Sequence, residues 1–512
     1  MRKILLLFLC NILLPANAQE IKCTLKKSTV VKDEYSFSEI VAVGEDGDGG
    51  VTVARSYTSL FGKTFGYYFE HYNDKLIKVK SFKQEMKKKQ RLVGVVIDGN
   101  TLNMIEFTYD KVQKAYVCYA NSCNVKDFKF TKKELFRLAM QKEKVPLMSF
   151  DANVARFEDY YHAKIVFSED NSSFGILVNI NIGKDKDEVH EFYAFNNKMD
   201  LLLKNSLVKD YEDYGFEIVG MDVSQDTKTA YVLGKQKNKK DKKGTADYFF
   251  DVTSITDNGT KTYSFDVTSN FPCEMKMVLK KDKVTCVGLY EDKDEKWQKG
   301  ICYYDLDQVT LGIKSSKIIP FPQDFAALYN TKSKEELKYF QGRELYLAEN
   351  NDVIYNAEQY DLGMSRSANP SSSIVHARHA FGDILSVKIN DNGEALWFNA
   401  IDKYQIGDDT TFDFLSYTSF IRGGDIYFFL NGTIKPKDDG GLFVDFTPAP
   451  FGGVDFNVMR LNKDGKIDYK KLLDTKKEKT RMLIKKRGLM PNGASYFLHA
   501  LGKEKQLYKL TL

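Results

Sequence analysis

One arrangement recurs along this chain and constrains its fold more than any other feature: a short strand, a polar turn, then a strand rich in Tyr, Val and Gly. It stands at 39–57 (EIVAVGEDGDGGVTVARSY), 164–180, 218–235, 275–290, 344–360, 420–432 and 483–502, with a degraded member at 91–99. A second kind of segment alternates with it and carries a hairpin closed by Asx-Gly. Its clearest copies are 247–267, 383–401 (DILSVKINDNGEALWFNAI) and 455–473 (DFNVMRLNKDGKIDYKKLL), with looser ones at 67–82, 191–207 and 301–319. Asn392-Gly393 and Asp464-Gly465 supply the positive φ values that a tight hairpin needs. Ile384, Ser386 and Lys388 alternate with Leu385, Val387 and Ile389, a period of two that predicts half-buried strands.

Two hairpins per unit make a four-stranded antiparallel sheet, and such sheets repeated around an axis make a β-propeller. The expectation is an all-β chain, a single propeller over residues 19–512 with about eight blades; seven blades also fit. Each unit spans about 62 residues against roughly 40–50 for common propeller repeats, and the excess sits in loops. The last unit ends on the lone strand KQLYKLTL (505–512), while EIKCTLKK (20–27) alternates in the same way. Pairing these N- and C-terminal strands would close the ring and remove exposed edges. Two segments read as short helical insertions: 131–141, with Thr131 as cap ahead of Leu135, Phe136 and Leu138, and 333–340, with the capping-box spacing of Ser333 and Glu336.

The stretch 351–401 resembles the repeat of secreted bacterial β-propellers. The resemblance rests on Ile354-Tyr355, Asp383, the run from Lys388 to Gly393, and Trp397, and extends in part to 455–473. It implies blade packing and leaves the ligand open, because fold does not fix function.

The N-terminus predicts export, to the periplasm or, as the alternative, by secretion. Arg2 and Lys3 precede an apolar run from Ile4 to Leu14, and Pro15 and Ala16-Asn17-Ala18 follow, so residues 1–18 read as a signal peptide. A helical membrane span needs roughly 20 apolar residues, so the chain is not expected to be membrane-spanning. The 75 basic and 70 acidic residues nearly balance, and the lysine-rich stretch 234–247 lacks interleaved aromatics; neither points to nucleic acid. Six cysteines follow the leader: Cys23, Cys118, Cys123, Cys273, Cys286 and Cys302. In an oxidising compartment they could pair, with Cys118–Cys123 and a bridge among Cys273, Cys286 and Cys302 as candidates; buried, reduced thiols are the alternative. No Cys-x-x-Cys pair occurs, and no metal or cofactor is expected.

Chemistry-bearing motifs are few. Asp46-Gly-Asp48-Gly-Gly50 begins like a calcium loop but has Gly50 and Tyr57 where ligands are needed, so it reads as a hairpin turn. No nucleophile elbow or phosphate-binding loop appears. His376, Arg378 and His379 lie in the long loop 361–381, where a histidine and Arg378 could clamp a carboxylate or sugar acid. In an extended segment His376 and Arg378 would point away from His379. The loop 432–456 occupies the corresponding place in the next unit and holds Phe443, Phe446 and Phe451. These rings suggest a protein contact unless they fold back under the loop.

Two function classes follow. The first is a non-enzymatic periplasmic interaction scaffold docking onto another cell-envelope protein, such as an outer-membrane transport or secretion complex. The second is a carbohydrate-binding or polysaccharide-cleaving propeller with an axial-face site. With two tryptophans in the chain, its sugar-stacking platform would rest on the 30 tyrosines.

Overall fold

The computed structural model describes residues 21–59, 65–86, 90–139, 163–168, 172–179, 188–209, 216–237, 248–265, 270–292, 295–323, 325, 340–366, 375–409, 411–437, 441–446, 454–474, 481–484, 488–489, 494–501 and 503–512. Within them the strands form eight sheets, each built on four principal antiparallel strands. Blade 1 covers 37–85, blade 2 90–139, blade 3 163–209, blade 4 216–264, blade 5 271–320, blade 6 340–408 and blade 7 417–473. First strands of successive blades pack on one another, so they are the innermost and surround the axis. The first kind of repeat segment is the first hairpin of a blade and the second kind is its outer hairpin.

Blade 8 joins the two ends of the chain. Its first three strands are Gly488–Leu489, Ala494–Leu501 and Glu504–Thr511, and its fourth is Thr24–Lys27. Thr24 pairs with Thr511 and Lys27 with Tyr508 in antiparallel register, and Val31–Lys32 adds at the other end of Glu504–Thr511. The ring is closed by main-chain hydrogen bonds.

The core is not one body but a circle of seams between neighbouring blades. Phe69, Leu92 and Met104 fill the seam between blades 1 and 2; Phe107, Phe136, Ile176 and Tyr193 fill the next. The last seam, between blades 8 and 1, holds Ile40, Val53, Tyr496 and Leu498. A middle strand therefore faces a seam on both sides. This corrects the half-buried reading of 384–389, where Leu385, Val387 and Ile389 face one seam and Ile384 the other. Ser386 is also buried, and its hydroxyl donates to Asn356 Oδ1 at 2.7 Å, which satisfies the polar group in place of water.

The outer-hairpin turns follow one backbone plan with two side-chain solutions. In blades 6 and 7 the turns Asn390–Gly393 and Asn462–Gly465 close with the glycine N–H donating to the leading Asn carbonyl, and both glycines have φ near +78°. Blades 1 and 3 make the same turn with Leu76 (φ 58°) and Met199 (φ 64°) in the glycine position, and Phe128 (φ 54°) ends the equivalent turn in blade 2. All three side chains are buried in seams. A left-handed backbone costs such residues about 1 kcal/mol, and burying the side chain outweighs that cost. Replacing Leu76 by glycine should therefore destabilise the chain by about 1–2 kcal/mol in a denaturant titration, although glycine relieves the backbone.

Residues 131–139 are a strand, Thr131–Ala139, and not a helix. A bulge between Glu134 and Phe136 lets Leu135 and Phe136 pack against the same seam although they are sequential, which mimics helical spacing. Beyond it Phe136 and Leu138 are buried while Arg137 and Ala139 are exposed. The segment 333–340 lies outside the described residues except Phe340, which begins a strand, and the signal-peptide reading lies wholly outside them.

The expected disulfides are absent: Cys118, Cys123, Cys273, Cys286 and Cys302 are thiols. Cys118 and Cys123 are five residues apart on one strand, so they face opposite seams. Cys286 lies opposite Tyr304 and Cys302 opposite Gly288, a diagonal of about 7–8 Å that exceeds disulfide reach. Cys273 faces the other seam, its Sγ against the Leu289 carbonyl. Burial raises the Cys123 and Cys302 thiols to about 12, which makes them inert.

Candidate interaction surface

Blade 6 departs from its neighbours. Its second, third and fourth strands run long, as Val353–Arg366, Val375–Ile389 and Ala395–Asp408, and project past the disc. The sequence between the second and third strands of blade 7 forms a hairpin, Thr433–Pro436 with Leu442–Phe446. That hairpin reaches back to the fourth strand of blade 6 and pairs with it in parallel, Asp402 with Phe443 through Gln405 with Phe446. The result is a six-stranded platform, and the two long insertions lie side by side in it.

One face of the platform is closed around Phe446, while Leu362 at its far end stays 44% exposed. Phe446 is 1% exposed and packs with Phe381, Leu415 and Val454, flanked by Tyr360, Phe412 and Phe414. Phe446 has thus folded back under the insertion and offers no contact to a partner. Phe443 is half-buried, and Phe451 lies outside the described residues. His379 is buried on the closed face, with Nδ1 2.9 Å from the Tyr360 hydroxyl and Nε2 2.8 Å from Asp409 Oδ1.

The opposite face is open. Arg378 is exposed there and donates to the Tyr404 hydroxyl at 3.3 Å, and Tyr404 is 42% exposed. The pairing Tyr404–Asp445 and Asp402–Phe443 places Phe443 and Asp445 on the same face, and Lys435 stands opposite Phe443. Arg378 and His379 consequently serve different faces and share no ligand set. His376 pairs with Ser365, and its side chain is among those not described.

Beneath the platform lies a buried charge network that the sequence reading missed. Lys403, wholly buried, sits 2.9 Å from Glu358 Oε1. Ser416, at φ 71°, donates to Glu358 Oε2, and the Arg343 guanidinium approaches the same oxygen at 3.6 Å. Burial pulls the Lys403 ammonium below its ordinary range, against the opposing pull of Glu358. Glu344 accepts from the Tyr417 hydroxyl at 2.8 Å. All four charged residues belong to blade 6, and the Ser416 and Tyr417 hydroxyls at the entry to blade 7 donate to them, so the network ties the two blades together beneath the platform.

Elsewhere, Asp46 Oδ1 accepts from the Asp48 and Gly50 amides and Oδ2 lies 2.8 Å from His71, which is a hairpin turn. Among the described residues no group of three or more His, Cys, Asp or Glu is placed to hold a metal ion, and no helix is long and apolar enough to cross a membrane.

The strand pairing defines an eight-bladed β-propeller. No protein-family model matches the chain, and no curated protein matches it. Solved structures that resemble it include the WD40 domain of SCAP from fission yeast, with a TM-score of 0.39 and 8% identity over 96% of this chain and 98% of that one. The β-propeller domain of the Trilobed protease from Pyrococcus furiosus gives a TM-score of 0.36 and 9% identity over 86% of this chain and 97% of that one. The polysaccharide lyase Uly1 gives 0.38 and 10% over 82% and 89%.

Proposed function

We propose that this propeller is a non-enzymatic, exported scaffold that docks onto another cell-envelope protein through the open face of the blade 6 platform. The observation that carries the proposal is that the extended ends of three blade 6 strands and the two-stranded blade 7 hairpin combine to present an aromatic–arginine face. Arg378, Tyr404 and Phe443 are residue types that anchor protein interfaces. The buried carboxylates of blade 6 support the scaffold over a polysaccharide-cleaving site, because Glu358 is engaged by Lys403 and the Ser416 hydroxyl and Glu344 by the Tyr417 hydroxyl. The same proposal places the chain in the periplasm with an outer-membrane partner, and the leader-like residues 1–18 support the export it requires.

The test is co-purification of the tagged chain from gently solubilised envelopes. Arg378→Glu with Tyr404→Glu should abolish recovery of a stoichiometric envelope protein, with chain stability unchanged to within about 0.5 kcal/mol. Recovery of the wild-type chain alone would sink the scaffold reading.

A further inference from the structure

The fourth strand of a blade is its outer edge, and an unpaired edge invites another strand unless it is protected. Every other blade protects it: each fourth strand carries at least one lysine, from Lys26 in blade 8 to Lys470 in blade 7. Blade 6 does not. Its fourth strand opens with seven residues, Ala-Leu-Trp-Phe-Asn-Ala-Ile over 395–401, that contain no charge and no proline. The one lysine of that strand, Lys403, is buried.

The inner side of 395–401 pairs with the third strand of the blade. Among the described residues its outer side pairs with nothing, because the blade 7 hairpin covers only Asp402–Gln405. That hairpin shows that this edge accepts an added strand. The 395–401 stretch is also held in place by its side chains. Trp397 donates to the Lys463 carbonyl at 3.1 Å, and the Phe398 ring packs against Phe321 and Phe325. Leu396, 52% exposed, is left to meet an incoming side chain.

We infer that Ala395–Ile401 receives an extended, uncharged segment of the docked partner by strand addition, with Leu396 as the apolar contact. This rests on the docking proposed above and names its second element. The occupant is a partner segment and not a second copy of this chain. Two copies meeting along 395–401 alone would fall short of the roughly 1,200–2,000 Å² of a stable interface, whereas a partner already docked on the platform adds this ladder to the area it buries there.

The test places the photo-crosslinking residue benzoylphenylalanine at position 396 of the full chain, irradiates intact envelopes, and identifies the attached peptide by mass spectrometry. The same label at Ile318, 40% exposed on the lysine-bearing fourth strand of blade 5, is the control. The expected result is one adduct from position 396, to a segment of another protein with five or more consecutive uncharged residues. Asn399→Lys should abolish it while leaving the thermal melt unchanged. No adduct, an adduct to a second copy of this chain, attachment to a charged segment, or equal labelling from position 318 would overturn the inference. Adduct loss with partner recovery intact would remove the edge and leave the docking face standing; loss of both would remove both.

Discussion

Replacing Arg55 by alanine should destabilise the propeller by about 3–5 kcal/mol, the cost of leaving buried charges without their partner. Arg55 is 1% exposed on the second strand of blade 1. It is bound to Asp33 by two hydrogen bonds of 2.7 and 3.0 Å and to Glu70 by two of 2.9 and 3.0 Å. Burial alone would lift the Glu70 carboxyl, but Arg55 and then Lys78 outweigh it and hold Glu70 below the usual carboxylate range. Asp33 lies in the segment that carries the chain from blade 8 into blade 1. Lys505, wholly buried, donates to the Ser36 carbonyl in the same segment. The cluster therefore fixes the N-terminal segment where the ring closes. A guanidinium titration of Arg55→Ala checks the magnitude, and Arg55→Ala combined with Asp33→Asn and Glu70→Gln should recover a substantial part of the loss. A single-variant loss below about 1 kcal/mol would show that the cluster does not bear on closure.

The second large effect is a pH dependence at the same closure. His499, 7% exposed on the second strand of blade 8, has no hydrogen-bond partner for either ring nitrogen among the described residues. Burial, and then the nearby Lys505 charge, lowers its folded-state pKa to about 4. The unfolded chain binds this proton near pH 6.5 and the folded chain does not. The stability is thus fully present above about 6.5 and is lost as pH falls from there to about 4. The shift corresponds to about 3 kcal/mol. Urea titrations of wild type and His499→Leu, compared at pH 7 and pH 4, should show the variant gaining by that amount at the lower pH. Parallel pH curves for the two chains would rule out a buried neutral imidazole.

The legible part of this fold was the part written in local chemistry. Asn390–Gly393 and Asn462–Gly465 announce their hairpins because a glycine stands at the positive-φ position. The outer hairpin of blade 2 escaped because Phe128 ends its turn in place of glycine, and because the bulge at Leu135 disguises a strand as a helix. Arg55 carries no local signal of its role, since its partners lie 22 and 15 residues away. The two long insertions were placed together on one rim by counting equivalent loops. Their fusion into a platform was not readable, because the pairing of Asp402–Gln405 with Phe443–Phe446 joins segments about forty residues apart. The same pairing decides which of Phe443 and Phe446 is buried.

The scaffold account is tested most directly by amide hydrogen exchange on the chain alone and in the complex recovered from envelopes. The account predicts slowed exchange in the complex over 395–408 and 442–446, with the fourth strands of the other seven blades unchanged. Protection confined to the first strands around the axis, with the blade 6 platform unaffected, would contradict it and place the functional surface at the centre of the disc.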